Sequence, residues 1–433
     1  MLKVVTVINI IIATSVFPQT NEWTIIQTPV SSNLKNIYAI DSSHIWVAGD
    51  SGYILFTGDL GDSWSVQNYH PDFKITDIFF LNTNEGWAIA NGIEDQINVT
   101  NYILITTDGG LSWQSKRFRP DNVNLYTICF LNSNKGIIGG DNNIFAITFN
   151  GGDEWIALER DTATFSHFPV RKIRFINDSV GFAVGGIYDR GGIIWHCTDS
   201  GLNWVTDSAY ADPFFDMTFA GENTIVALAS DIERSFPSAV FKSSDLGNSW
   251  FHKEIPFYGV SNGIDNRTLS EIWGTFEKEF IVSYDQGESW QTFSTPDSIT
   301  VFDIAFTDSM HGFSVGQDGK FLIYRPLISN VESEPVLNND YFIVYQNYPN
   351  PFNSSTNIRL EVLEDDYVEI SIYNSLGEKL FSLLKGSVAR GMIEIKFDAK
   401  DLASGIYFYV LESSKKSFLP ETTRLINKMI LLR

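Results

Sequence analysis

An eight-residue pattern recurs along the chain and limits the folds open to it more than any other feature. It reads Ser/Thr-x-Asp-x-Gly-x-x-Trp, and its six copies end at Trp64, Trp113, Trp155, Trp204, Trp250 and Trp290, which lie 40 to 49 residues apart. Asn150 replaces the aspartate in the third copy, and Cys197 replaces the hydroxyl residue in the fourth. A period in the forties with several short strands per unit is typical of the blades of a β-propeller.

The segments between the octets predict the other strands of each blade. Most contain an alternating apolar run, a tight polar turn and a second run that opens near glycine, as in ITDIFFLNTNEGWAIANG. Seven such strand pairs begin near Asn36, Ile75, Leu125, Val170, Phe214, Gly259 and Val301. The seventh has no octet and no last strand, whereas residues 21–29 read as a last strand without its octet. We therefore predict an all-β chain in which residues 20–327 form a seven-bladed propeller, closed by its N-terminal strand.

Each octet is expected to order the turn between the third and fourth strands of its blade. The aspartate can accept backbone N–H bonds within the turn, the glycine supplies a left-handed conformation, and the tryptophan packs beside the sheet. Six equivalent acids spread around a ring cannot converge on one substrate, and one carboxylate per turn offers too few oxygen ligands for calcium. The predicted structural residues are Asp59, Trp64, Asp108, Trp113, Asn150, Trp155, Asp199, Trp204, Asp245, Trp250, Asp285 and Trp290.

Charge and composition exclude several classes of function. The formal net charge of −22 disfavours nucleic acid and anionic lipid as partners. Six histidines and two cysteines show no metal-ligand spacing, so we expect no metal and no cofactor. Residues 1–19 read as a secretory signal peptide, and no later stretch is apolar enough to span a membrane. Export leaves open a bridge between Cys129 and Cys197, although two free, packed cysteines are the simpler interpretation.

The octet resembles the Asp-box, or bacterial neuraminidase repeat. This resemblance implies a structural role for the octets in a β-propeller, as in sialidases, xyloglucan-degrading hydrolases, sortilin-type receptors and the photosystem II stability/assembly factor family. The longer unit from Gly86 to Trp113 is most similar to the last of these. No Phe-Arg-Ile-Pro motif precedes the first octet, which argues against a sialidase. A photosystem role conflicts with the secretion signal described below, so the resemblance is used for the fold alone.

Function is therefore expected on the face opposite the octets, where the loops are longest. Our main hypothesis is a non-catalytic propeller that binds an extracellular protein or glycan there. The predicted binding residues are Arg119, His167, Tyr188, Arg190, Arg234 and Phe236. The alternative is an extracellular glycoside hydrolase that uses two loop carboxylates. Its candidates are Glu94, Asp95, Asp121, Asp141, Asp161, Asp189, Asp212, Asp231, Glu233 and Asp318.

The pattern changes after residue 327. Residues 328–345 are polar and aperiodic and read as a linker, and residues 346–433 predict a small antiparallel β-sandwich. This last segment has recognisable landmarks at Pro349, Asn350, Pro351, Phe352, Gly405, Tyr407, Lys428 and Met429. With these landmarks it resembles the type A C-terminal sorting domain of the type IX secretion system. The resemblance implies that the secretion machinery of a Bacteroidota-type bacterium is a partner and that the protein is secreted or displayed on the outer membrane.

Overall fold

The structure is a computed structural model that divides into two compact units, Met1–Leu327 and Ile328–Arg433. It describes residues 23–68, 70, 72–94, 98–159, 167–188, 190–221, 223–325, 337–338, 342–344, 347, 350–362, 366–374, 377–400, 402–413 and 423–432. The predicted signal peptide lies outside these residues. No helix among them is long and apolar enough to cross a membrane.

The described residues of the first unit form seven four-stranded antiparallel sheets. In chain order the strands of its first half are β1 (Trp23–Gln27), β2 (Leu34–Asp41), β3 (His44–Gly49), β4 (Ile54–Thr57), β5 (Ser65–Asn68), β6 (Phe73–Phe80), β7 (Gly86–Glu94), β8 (Asn98–Thr106), β9 (Gln114–Phe118), β10 (Leu125–Phe130), β11 (Gly136–Gly140), β12 (Ile144–Thr148) and β13 (Ile156–Ala157). The second half contains β14 (Val170–Phe175), β15 (Gly181–Ile187), β16 (Gly191–Cys197), β17 (Val205–Tyr210), β18 (Phe214–Phe219), β19 (Ile225–Ala229), β20 (Ala239–Ser243), β21 (Phe251–Glu254), β22 (Ile264–Asn266), β23 (Ile272–Phe276), β24 (Glu279–Ser283), β25 (Gln291–Ser294), β26 (Val301–Phe306), β27 (Gly312–Gly316) and β28 (Lys320–Tyr324). Single 3₁₀ turns lie at Asp50–Gly52, Asp141–Asn143, Pro296–Ser298 and Gln317–Gly319.

The sheets follow one another in a closed cycle, an arrangement typical of a β-propeller. Six sheets each contain four consecutive strands, beginning with β2, β6, β10, β14, β18 and β22. The first strand of each sheet lies beside the first strand of the next, and β26 lies beside β2. These first strands surround a central channel, because residues from all seven line one cavity.

The N-terminal strand completes the last sheet, as the sequence predicts. That sheet has the order β1-β28-β27-β26, and Trp23 is paired with Tyr324. The Trp23 ring also stacks on Phe280 of the preceding sheet at 4.5 Å between ring centroids. Closure therefore joins chain segments about 300 residues apart through both a backbone ladder and aromatic packing.

Four of the six octet turns share one full hydrogen-bonding pattern. In the second copy the Thr106 hydroxyl donates to Asp108 Oδ1 (2.8 Å) and accepts from the Gly110 N–H (2.8 Å). Asp108 also accepts from the N–H and the hydroxyl of Ser112 at 2.9 and 2.6 Å. Gly110 needs its left-handed φ of 89°, and a Cβ there would come within 2.0 Å of Gln67 on the preceding sheet. The turn therefore closes its own blade and fits closely against the neighbouring one.

The octets are also tied to the preceding blades through tryptophans that the sequence interpretation did not single out. Trp46 of β3 stacks on Phe80 (3.7 Å) and donates its indole N–H to the Gly109 carbonyl of the second octet (3.1 Å). Trp87 of β7 stacks on Phe130 (3.6 Å) and donates to the Gly151 carbonyl of the third octet (2.9 Å). Both tryptophans are almost completely buried.

The second unit contains two four-stranded sheets whose facing sides share one core. The first sheet has the order β29-β30-β31-β34 and the second β33-β32-β35-β36. The strands are β29 (Leu337–Asn338), β30 (Phe342–Val344), β31 (Ser355–Val362), β32 (Asp366–Asn374), β33 (Lys379–Val388), β34 (Gly391–Asp398), β35 (Gly405–Ser413) and β36 (Thr423–Leu431). The segment interpreted as a linker thus supplies two short strands, because residues 342–344 pair with β31.

The sixth blade begins later than its sequence suggests. Its first strand starts at Ile264 rather than near Gly259 and has three residues. The hydroxyl of Thr275 accepts from the Gly263 N–H at 3.0 Å, so a side chain takes a bond that a longer strand would make with its backbone.

Both cysteines are free and buried, so Cys129 and Cys197 do not form a bridge.

Candidate binding site at the loop face

In six blades the first strand has a register shift near its start. The residue at each shift lies at the open end of the central channel, which we call its mouth. Such a bulge is present between Val170 and Lys172, and between Leu125 and Thr127. A β-bulge turns a side chain away from the ladder's regular alternation. The residues at these shifts, Lys35, Thr76, Tyr126, Arg171, Phe215 and Phe302, all line one cavity of about 300 Å³. The cavity lies on the face of the predicted loops, which we call the loop face.

Arg171 is at the centre of an aromatic cluster in this mouth. Its guanidinium carbon lies 4.7 Å from the ring centroid of Tyr126, 5.4 Å from Phe215 and 5.9 Å from Tyr188. Its Nε is buried and has no hydrogen-bond partner among the described residues. A guanidinium stacked among rings, with a donor still to be satisfied, is suited to an anionic or carbonyl oxygen of a ligand.

The aromatic partners of Arg171 are themselves held in place. The Tyr126 hydroxyl donates to Asp141 Oδ1 at 2.8 Å, and the other Asp141 oxygen accepts from the backbone and side chain of Asn124. Burial, together with the nearby Asp141 carboxylate, raises the pKa of Tyr126, so the phenol stays protonated and keeps donating. Asp141, one of the carboxylates considered for catalysis, is therefore committed to orienting this cluster.

Deeper in the channel, charged side chains connect different blades. Lys172 pairs with Asp77 at 3.0 Å, and Arg174 forms a two-pronged bond with Asp216 at 2.9 and 3.1 Å. Asp77 also accepts from the Ile128 N–H of the next blade at 2.9 Å. These groups hold the ring together, because each satisfies a backbone donor or a buried charge across a blade boundary.

Asp303 makes the equivalent connection where the ring closes. Its Oδ2 accepts from the Ile37 N–H of the first blade at 3.0 Å, and its Oδ1 accepts from its neighbour Ile304 at 2.9 Å. Burial raises the pKa of Asp303 to about 7, opposed by Lys172 and reinforced by Asp216. The junction between the last and first blades therefore contains a carboxyl that titrates near neutral pH.

The six predicted binding residues do not come together in one cluster. Tyr188 joins the Arg171 cluster, whereas Arg119 is paired with Asp121 at 2.6 Å and Arg234 holds both oxygens of Glu277 at 2.6 Å. His167 and Arg190 are exposed and adjoin residues 160–166 and 189, which are outside the described part of the chain. Sequence interpretation missed Arg171, Tyr126 and Phe215. The sequence signal that could have found them is a polar or aromatic residue at the equivalent position of successive repeats.

Phe236 lies on a second feature of the loop face, a loop organised by Asp231. The Asp231 carboxylate accepts from the N–H groups of Glu233, Ser235 and Phe236 at 3.0, 2.7 and 2.8 Å. The loop presents Phe236 with 67% of its surface exposed. A large aromatic side chain on a pre-ordered loop is the kind of anchor that partner recognition uses.

In the second unit the two ends of the sorting segment meet. Asn350 donates to the Lys428 carbonyl at 3.2 Å and accepts from the Ile430 N–H at 2.8 Å. Phe352 is buried in the core and forms a parallel bridge with Leu431. Gly405 is paired with Leu431 and Tyr407 with Met429, which is fully buried. Pro349 lies outside the described residues, and Pro351 lies between the two clamping side chains.

Comparisons with known proteins show the fold of the first unit and match the second to a family model. Residues 346–426 match a family model described as a secretion system C-terminal sorting domain. YCF48 bound to D1 peptide matches with a TM-score of 0.56 and 21% identity over 71% of this chain and 97% of that one. YCF48 from Cyanidioschyzon merolae matches with a TM-score of 0.56 and 18% identity over 70% of this chain and 99% of that one. The GH74 enzyme of Niastella koreensis matches with 0.57 and 12% over 78% of this chain and 59% of that one.

No curated protein matches the sequence. At these identities the solved structures share the fold, and their activities belong to them. The sorting domain, in contrast, is matched over nearly its whole length, and it directs secretion to the cell surface or the extracellular space. The chain is therefore a β-propeller with the fold of the YCF48 and GH74 structures, followed by a type IX secretion system sorting domain.

Proposed function

We propose that the first unit is a seven-bladed, non-catalytic propeller that binds an extracellular protein or glycan at its loop face. The Arg171 cluster carries this proposal. It combines a concave mouth, three aromatic rings and a cation with an unsatisfied donor, and these features favour a ligand that offers an acidic or carbonyl group beside an apolar one.

The solved complex of YCF48 with a D1 peptide supports a peptide partner, since a propeller of this fold binds a peptide. The exposed Phe236 adds an apolar anchor on the same face. The GH74 likeness keeps a glycoside hydrolase as the alternative. Two of its candidate carboxylates, Asp141 and Asp231, already hold loops in place, and Asp121 is paired with Arg117 and Arg119.

The test is a peptide and glycan array on the purified full chain, together with a hydrolysis screen on the same glycans. We expect Arg171→Ala to weaken binding by about tenfold or more, since it removes a buried charge-assisted contact. Arg119→Ala is the matched control, because it removes an arginine of the same face that is already satisfied by Asp121. Binding by the Arg171→Ala variant at wild-type affinity would refute the proposal that the channel mouth is the binding site. If the protein hydrolyses a glycan and a single loop Asp→Asn change abolishes that turnover, the glycoside hydrolase alternative would replace the binding proposal.

A further inference from the structure

The last strand of the sorting domain is held by a clamp that closes part of its outer edge. β36 is an edge strand of its sheet. The Phe352 N–H donates to the Ile430 carbonyl at 2.9 Å, and the Leu432 N–H donates to the Phe352 carbonyl at 2.9 Å. Asn350 adds its two bonds to Lys428 and Ile430. Since these backbone groups are occupied, another strand cannot add to the C-terminal half of β36.

The outward side of β35 and β36 remains open, and it is apolar. Along β36 the residues alternate: Asn427, Met429 and Leu431 face the core, whereas their neighbours face outward. Ile406 of β35 is paired with Ile430, and Phe408 is paired with Lys428. Ile406, Ile426 and Leu432 expose 46%, 48% and 48% of their surfaces. We call the six residues Ile406, Phe408, Ile426, Lys428, Ile430 and Leu432 the outer-face patch.

We propose that the outer-face patch is the surface through which the secretion machinery recognises this domain, with Asn350 and Phe352 as positioning residues that fix the terminal strand. A sorting domain must be recognised by a receptor, and the clamp leaves side chains rather than the strand edge for that receptor to contact. Lys428 is the one cation of the patch, in a chain of net charge −22. The receptor surface that fits it is apolar and presents a carboxylate opposite Lys428.

Part of the outer-face patch lies beyond the segment that the family model matches. That segment ends at residue 426, whereas four of the six patch residues lie at or after that position. The proposed signal is also discontinuous, because the Asn-Pro-Phe motif and the terminal strand are about 80 residues apart in sequence and in direct contact in the fold. The inference does not depend on the loop-face function, since export and partner binding are measured separately.

The test measures export of the full chain in a bacterium with a working type IX system, as the ratio of extracellular plus surface protein to periplasmic protein. We expect the double variant Ile406→Ser/Ile426→Ser and the single variant Lys428→Glu each to lower this ratio by about tenfold or more. Both change side chains that are about half exposed or more, so the variants should stay folded with melting temperatures only slightly below that of the wild type. Leu380→Ser and Lys396→Glu are controls, because these exposed residues of β33 and β34 lie outside the patch.

Asn350→Ala tests the clamp. It should lower export and also make β36 more accessible to protease, whereas the patch variants should lower export with β36 still protected. Export at the wild-type ratio in the folded double variant would overturn the proposal. So would a wild-type dimer that the double variant converts to a monomer, because the patch would then bind a second copy of the chain rather than the machinery.

Discussion

The hydrogen bonds from Trp46 and Trp87 to the octets allow the contribution of a hydrogen bond to stability to be separated from that of the surrounding packing. Trp46 and Trp87 occupy equivalent places in successive blades, both are buried, and both stack on a phenylalanine at nearly the same distance. Their acceptors differ. The Gly109 carbonyl also accepts from Gln67 Nε2 at 2.9 Å, whereas the Gly151 carbonyl has Trp87 as its partner among the described residues.

Replacing each tryptophan with phenylalanine should therefore have unequal effects on the free energy of unfolding. The loss of ring volume is common to both variants and costs roughly 1–2 kcal/mol. Trp46→Phe loses one hydrogen bond, worth about 0.5–1.5 kcal/mol, and leaves Gly109 paired. Trp87→Phe leaves the Gly151 carbonyl without a partner, at a cost of about 1–3 kcal/mol. We expect Trp87→Phe to be the more destabilising variant by roughly 1 kcal/mol.

Equilibrium urea unfolding followed by far-ultraviolet circular dichroism measures the difference, provided that the slope of free energy against urea is unchanged. Gln67→Ala supplies a second control. Added to Trp46→Phe it should bring that variant to the level of Trp87→Phe, whereas with Trp46 in place it should cost little. Equal destabilisation by the two tryptophan variants, or a larger effect at Trp46, would refute the role given to the hydrogen bond.

Three further changes have distinct expected outcomes. Trp113→Ala removes the edge contact with Phe80 at 5.9 Å, so it should lower the urea midpoint while the folded protein binds its partner with unchanged affinity; a binding loss at unchanged stability would contradict this. The raised pKa of Asp303 means that the folded state binds more protons than the unfolded state between about pH 4 and pH 7, so stability should decline across that window as the pH rises. Asp303→Asn should abolish the decline in pH-dependent unfolding. Deleting residues 428–433 should leave the protein in the periplasm on fractionation, and normal export would argue against the sorting assignment.

The all-β class and the strand order could be predicted because the repeat supplies the same information many times. Each octet carries its own turn chemistry, and a strand pair precedes each one, so a single poor segment does not hide the pattern. The start of the sixth blade's first strand was mispredicted where the Thr275 hydroxyl takes one of the two bonds of a backbone pair, which is a tertiary effect. The two short strands Leu337–Asn338 and Phe342–Val344 were not predicted for a related reason, since the partner of residues 342–344 is β31.

The candidate site was predicted less well, because a search for long loops overlooks residues inside strands. Arg171 and Phe215 lie in inner strands, where alternation alone predicts a regular register. The register shift that turns them toward the mouth arises from packing of each blade on the next, which one segment of sequence does not encode. Two of the channel charges are visible in the sequence, since Asp216 and Asp303 interrupt strands that otherwise read as largely apolar.

Comparison of the repeats with one another shows where this propeller can change its ligand without losing its ring. In four of the six bulged strands the position that follows the bulge is restricted, because Asp77, Thr127, Asp216 and Asp303 each accept a backbone N–H from the next blade. The bulge position itself bonds to no common partner, and it carries lysine, threonine, tyrosine, arginine or phenylalanine in different blades. Substitutions there change the mouth while the connections between blades stay intact. If the mouth binds a ligand as proposed, its specificity can therefore vary at the bulge at little cost in stability, and Tyr126, Arg171 and Phe215 on three successive blades are the residues to vary.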